Sequence, residues 1–151
     1  MANSQAMTTS FKGELFTATH NFGTAPTRGA STADTFKAAL YLTTASLGAA
    51  TTAYSSTGEV SGTGYTAGGV TVTNATAPTT SGTTAYWTPS ASITYTSVTL
   101  STAFDAVLIY NSSQSNKAVS VHTFGSQTVT AGTFALTMPT NAAGTALLNL
   151  A

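Results

Sequence analysis

The sequence predicts an all-β protein, a β-sandwich with jelly-roll-like connectivity, on three observations. Apolar and polar residues alternate with a period of two over most of the chain, the pattern of strands with one buried face. The alternating positions are filled by Thr, Val, Tyr and Phe, which suit a pleated, half-buried surface. Clusters of Gly, Pro and Asn divide the pattern into about eight or nine short runs, with turns every ~8–12 residues; that rhythm belongs to sandwiches and small barrels, not to βαβ units.

Residues 1–7 carry no periodicity and read as a free arm. Residues 9–16 form the one helical turn, because Phe11 and Leu15 stand four apart and Thr8, Thr9 or Ser10 is available as a cap. Residues 1–15 are therefore taken as an extended N-terminal arm and residues 16–151 as a single β domain. Residues 35–42 put Phe36, Ala38, Leu40 and Leu42 on one face, with Lys37, Ala39 and Tyr41 on the other. Residues 69–76 alternate Val70 and Val72 with Thr71 and Thr73, and residues 84–88 carry Tyr86 and the single tryptophan, Trp87. Residues 92–100 form a strand with two partly apolar faces. The unbroken apolar run Ala106-Val107-Leu108-Ile109 marks a strand covered on both sides, the expected centre of the core. A polar loop at 111–116 then joins it to residues 118–124 as a hairpin. Residues 127–130, 133–138 and 146–150 complete the set, punctuated by Gly125, Gly132, Pro139 and Gly144.

Composition narrows the function. Charged residues are 5% of the chain and formal net charge is zero, against about a quarter charged in ordinary domains, while Thr and Ser make up about a third. A neutral chain lacks the self-repulsion that keeps domains apart, and interface cores are depleted in charge, so association with neighbours is expected. The four basic residues are scattered, so neutralising a run of phosphates is not feasible and specific nucleic-acid binding is not expected. There is no cysteine, and stability must come from packing and backbone hydrogen bonds. No basic and apolar leader of the secretory kind and no run of ~18 apolar residues is present, so neither a signal peptide nor a membrane span is expected. The sequons at Asn74 and Asn111 carry little weight without a secretory route.

The search for chemistry is short. His20 and His122 are the only imidazoles, and neither has metal-ligand spacing, so no metal and no cofactor is expected. No Gly-x-Ser-x-Gly elbow is present, and nothing marks a pair among the four carboxylates as catalytic. His122 sits between Val121 and Thr123 in a strand and reads as a hydrogen-bonded sheet residue. The stretch Gly62-x-Gly64-x-x-Ala67 matches a relaxed dinucleotide fingerprint, but a Thr/Val strand follows where that fingerprint needs a helix N-terminus. The glycine-dense segment 54–70 reads instead as a long loop whose glycines supply positive φ or close backbone approach, anchored by Tyr54 and Tyr65. Glu59, its only carboxylate, is expected to pair with a cation or to accept backbone hydrogen bonds, since an unpaired buried carboxylate is costly. With Phe11 and Leu15 of the arm, Tyr54, Glu59 and Tyr65 make up the candidate partner contacts.

The run Asp34-Thr35-Phe36-Lys37-Ala38-Ala39-Leu40-Tyr41, followed by Ala45-Ser46-Leu47, Ala53-Tyr54 and the stretch from Gly58 to Gly69, resembles small virion proteins of tailed bacteriophages. The likeness covers about the first half of the chain and extends more loosely to residues 105–110 and 132–139. It implies a non-enzymatic virion component and brings no catalytic residues. Within that class, size, β content and neutrality favour a capsid decoration or cement protein on the capsid surface. Its partners would be the major capsid protein and other copies of itself, commonly as a homotrimer. The alternative is a tail, neck or fibre-tip protein with a carbohydrate-binding surface in which Trp87 or the loop tyrosines stack on sugar.

Overall fold

The computed structural model describes residues 2–16, 19–22, 33–73 and 76–151; Arg28 and the sequon at Asn74 lie outside them. The strands are β1 (Ala6–Met7), β2 (Phe36–Leu42), β3 (Val70–Thr71), β4 (Thr79–Ser81), β5 (Thr84–Trp87), β6 (Ile93–Asn111), β7 (Lys117–Leu136) and β8 (Leu148–Leu150), with one helix, α1 (Thr9–Phe16). They form two antiparallel sheets, in the order β1-β7-β6-β2-β3 and β4-β5-β8. The all-β, two-sheet sandwich predicted by the period-two pattern is present. The split into five and three strands does not reproduce the symmetric pair of sheets of a jelly roll, and that finer part of the expectation is set aside.

The alternation in β2 places its residues as predicted. Phe36, Ala38 and Leu40 enter the main core, whereas Ala39 and Tyr41 enter a second cluster on the opposite face. β6 does the same: Val107 and Ile109 face the main core, Ala106, Leu108 and Tyr110 the second. Its apolar run is thus covered on both sides, by the sandwich interior on one and by the segment around Ala45, Leu47 and Tyr54 on the other.

The short strands expected at 92–100 and 105–110 are one 19-residue strand, and those at 118–124, 127–130 and 133–138 merge into a 20-residue strand ending at Leu136. Register shifts between Tyr95 and Ala106, with positive φ at Ser97 (54°) and Ala131 (45°), bend the ribbon without ending it. The bend is severe. Phe124 and Phe134 lie ten residues apart, about 33 Å in a straight strand, yet their rings are 5.4 Å apart and both flank Phe104. The long hairpin therefore bends over itself at residues 99–103 and 125–131, bringing its two ends together around Phe104. Gly125 and Gly132, read from sequence as stops, lie within the bent strand.

α1 starts where predicted. Thr8 caps it, its Oγ1 accepting from the Phe11 amide at 3.3 Å and donating to the Ala118 carbonyl at 3.1 Å. The segment before it does not extend away from the body. Ala6 and Met7 pair with Val121 and Ser120 at the edge of the large sheet. Asn3 donates to the Leu42 carbonyl and to Asp105 Oδ1 and accepts from the Leu47 amide. The reason is supply of partners: the β7 edge and the 42–47 turn offer unpaired backbone groups that this short polar segment satisfies.

Candidate functional site

The loop of residues 54–69 wraps the edge of the large sheet and touches it through backbone. Gly69 has φ +70°, and a Cβ there would stand 1.7 Å from the Ala38 carbonyl oxygen; at Gly64, φ +78°, it would stand 2.2 Å from that of Ser97. These glycines serve close approach to β2 and β6, and β3, not a helix, follows them. The dinucleotide fingerprint thus lacks its helix.

Glu59 holds the loop from inside. It is 9% exposed. Its Oε2 accepts from the Tyr54 hydroxyl at 2.6 Å, and its Oε1 from the Tyr65 hydroxyl and the Gly68 amide, both at 2.7 Å. The Tyr65 oxygen in turn accepts from the Leu40 amide at 3.0 Å, and the Tyr110 hydroxyl donates to the Gly68 carbonyl at 2.8 Å. Tyr54 stacks on Tyr110 and Tyr65 on Tyr95, with ring centroids 4.8 and 5.9 Å apart. Burial, reinforced by the adjacent carboxylate, pushes the Tyr54 phenol up to about 12 and those of Tyr65 and Tyr95 higher still. The phenols therefore stay protonated and donating throughout the neutral range. The expectation that Glu59 accepts backbone hydrogen bonds holds for Gly68, but its other partners are tyrosines and not a cation. Tyr54, Glu59 and Tyr65 form an internal clasp: their polar atoms bond within the chain, while Tyr54 and Tyr65 remain partly exposed.

Phe11 is likewise internal, 2% exposed and packed edge-on against His20 and Phe22 at 4.8 and 6.0 Å. Burying such a ring contributes about 2–3 kcal/mol, so Phe11 holds α1 to its own domain. Leu15 and the edge of Phe11 border an apolar hollow of about 120 Å3 between α1 and the small sheet.

A polar network that the sequence reading missed joins five segments. His20, with no exposed side-chain surface, bonds Glu14 through Nε2 at 2.6 Å. Lys117 Nζ donates to the other Glu14 oxygen. Asn111 Nδ2 lies 3.1 Å from His20 Nδ1 and donates to Asp34 Oδ2 at 2.8 Å, and Asp34 also accepts from the Asn21 amide and from Gln114. Because Asn111 Nδ2 is a donor, His20 Nδ1 is the bare nitrogen and Nε2 carries the proton toward Glu14. Burial lowers the His20 pKa against the pull of Glu14. Burial also pushes Glu14 upward, but the hydrogen bonds from Lys117 and His20 outweigh it and leave the carboxyl below its ordinary value. Both imidazole nitrogens are engaged within the network. No local spacing signalled it, since Glu14 and Lys117 are 103 residues apart.

His122, beside Ser120 Oγ at 2.9 Å, lines a second apolar cavity with Ile93 and Ile109, and burial drives its pKa down to about 4. Trp87 is 2% exposed and its Nε1 donates to the Thr76 carbonyl at 2.8 Å, so it presents no face to a sugar. Among the described residues no group of three or more His, Asp or Glu side chains is arranged to hold a metal ion.

The fold and these clusters define a two-sheet, all-β domain whose clustered titratable side chains are bonded to one another. No protein-family model, curated protein or solved structure matches the chain.

Proposed function

We propose that this chain is a virion structural protein that binds the outside of a capsid shell and reinforces it by bridging neighbouring major capsid protein subunits, acting without turnover and in association with further copies of itself. The observation that carries the reading is where the polar chemistry goes. Glu59 is saturated by two phenols and an amide, and Glu14, His20, Asp34 and Lys117 by one another and by Asn111 and Gln114. What remains outside is a hydroxyl-rich surface, including the exposed corner residues Ser101, Thr102, Ser126, Thr128 and Thr130. Such a surface suits permanent packing against a neighbour, because its hydroxyl-rich patches carry few charges to desolvate, the exposed Lys12 being one of them. The resemblance of the 34–69 region to small tailed-phage virion proteins supports the same class.

With Phe11 and Glu59 buried and the hydroxyls of Tyr54 and Tyr65 engaged within the chain, we take the contact with the shell to be this outer face and the surroundings of Leu15. The test is cryo-electron microscopy of intact virions with copy number measured against the major capsid protein. Hundreds of copies over the shell are expected. A handful at one vertex or along the tail would replace this reading with a connector or tail protein.

A further inference from the structure

We propose that His20 and Asn111 form an acid-operated switch, in which protonation of the imidazole turns the Asn111 side-chain amide over and loosens the 111–116 turn. Asn111 is fully buried, and its bonds fix which way the amide faces. Nδ2 donates to Asp34 Oδ2 at 2.8 Å and lies 3.1 Å from His20 Nδ1, while Oδ1 accepts from the Ser113 amide at 3.1 Å. A carboxylate only accepts and a backbone N–H only donates, so neither tie tolerates the reversed amide. Nδ2 is therefore pinned toward His20, and the ring must present a bare Nδ1 to it. An imidazolium carries a proton on both nitrogens. In that state Nδ1–H points at an NH2 group, donor against donor.

The charged ring is held where it is. Among the described residues, the charged groups facing it are Glu14 of α1, Asp34 ahead of β2 and Lys117 of β7. Two carboxylates stand against one ammonium, so an imidazolium brings the cluster to neutrality. Its other neighbours, Phe11, Phe22 and Phe36, are uncharged rings. The conflict is thus relieved at Asn111, by rotation of its amide. Oδ1 then accepts from Nδ1–H, but Nδ2 faces the Ser113 N–H, and Asp34 loses one of its donors. The turn bears the consequence. Ser115 and Asn116 hold positive φ, 52° and 59°, a conformation that non-glycine residues keep only where surrounding bonds impose it. The turn is loosened and not unfolded, because Thr35 still bonds Ser112 and Ser113. Burial holds the His20 pKa below its ordinary value, so the switch operates below pH ~6.5.

The experiment is an NMR titration of the full chain from pH ~7.5 to ~4.5, following the ring nitrogens of His20, the side-chain NH2 protons of Asn111 and the backbone amide of Ser113. At the neutral end Nε2 is expected to be protonated and Nδ1 bare, with the buried Asn111 NH2 protons protected from exchange. On acidification Nδ1, the Asn111 NH2 and the Ser113 amide are expected to change together with one midpoint, and protection of the NH2 protons to fall at least ~tenfold. The other imidazole, His122, gives separate signals and serves as the internal control. A response at Asn111 and Ser113 that follows His122 instead would overturn the switch. So would a His20 that protonates with Asn111 unchanged, or one that stays neutral until the whole protein unfolds. Asn111→Leu removes the opposing NH2 without adding charge, so the His20 midpoint is expected to rise by about half a pH unit or more, the equivalent of one neutral hydrogen bond. Burial alone predicts no rise, since leucine is less polar than the amide it replaces; an unchanged or lower midpoint would count against the donor conflict. Should this variant fold poorly, the wild-type titration decides by itself. None of these results depends on where the protein sits in a virion, so the switch and the proposed capsid role fail separately.

Discussion

Replacing Glu59 tests whether the loop of residues 54–69 is held by its carboxylate. In Glu59→Ala the Gly68 amide, which is buried, and the Tyr65 hydroxyl both lose their acceptor. Each hydrogen bond to a charged group contributes about 1.5–3 kcal/mol. Tyr54 is half-buried and regains water, so two bonds count in full and the expected loss is about 3–6 kcal/mol. For a domain of this length that is a fall in Tm of about 6–24 °C. Glu59→Gln separates the carboxylate from its shape. Its remaining oxygen still accepts from Tyr65 and Gly68, while its amide donates to the Tyr54 oxygen, so only the charge assistance disappears and about 1–2 kcal/mol is lost. Urea unfolding followed by Trp87 fluorescence measures both variants, and hydrogen exchange at Gly68 reports opening of the loop itself. If the alanine variant stays within about 1 kcal/mol of wild type, or the glutamine variant is as damaged as the alanine one, the clasp does not hold the loop.

Three further perturbations test other parts of the molecule. Gly69→Ala places a Cβ 1.7 Å from the Ala38 carbonyl oxygen at φ +70°, and a loss of more than about 3 kcal/mol, or failure to fold, is expected in the same urea assay; a near-neutral effect would mean that loop and β2 separate freely. Acid should destabilise the protein: the folded pKa of His122, about 4, and that of His20 lie below the ordinary 6.5, so the unfolded chain binds more protons. Stability is then fully present above pH ~6.5 and falls as pH drops toward 4, by up to about 3 kcal/mol from His122, with protonation of Glu14 adding to the loss at the acid end. Urea midpoints that stay constant from pH 7 to 4.5 would contradict this. Deleting residues 2–10 removes the Thr8 cap, the β1 pairing and the Asn3 bonds, and several kcal/mol of stability with them; an unchanged midpoint would mean that the segment is detached in solution, as a free arm would be.

The difference between a free arm and a docked segment shows how far local sequence reaches. Residues 1–7 contain no periodic signal, and periodicity is the only evidence a short segment carries about its own state. Whether it docks depends on vacant backbone groups at Ser120, Val121 and Leu47, more than forty residues away in the chain. The same limit explains the strand boundaries. Glycines at 125 and 132 are correct signals of irregular backbone, but irregularity ends a strand or bends it according to what the partner strand does, and here β6 bends in step.

The sequence by itself determined the all-β class, the two faces of β2, the doubly covered run in β6, the hairpin at 111–116 and the helical turn at 9–16, with its cap narrowed to Thr8, Thr9 or Ser10. Each follows from interactions within about one strand or one helical turn, where spacing and burial are directly coupled. Only the tertiary structure decided that Glu59 meets Tyr54 and Tyr65 as an internal clasp, that Glu14, His20, Asp34, Asn111 and Lys117 form one network, and that the β6–β7 ribbon bends back on itself around Phe104. Those contacts join residues up to 103 positions apart, and pairings at that range are chosen by which groups the whole fold leaves buried and unsatisfied, a quantity that no local pattern contains.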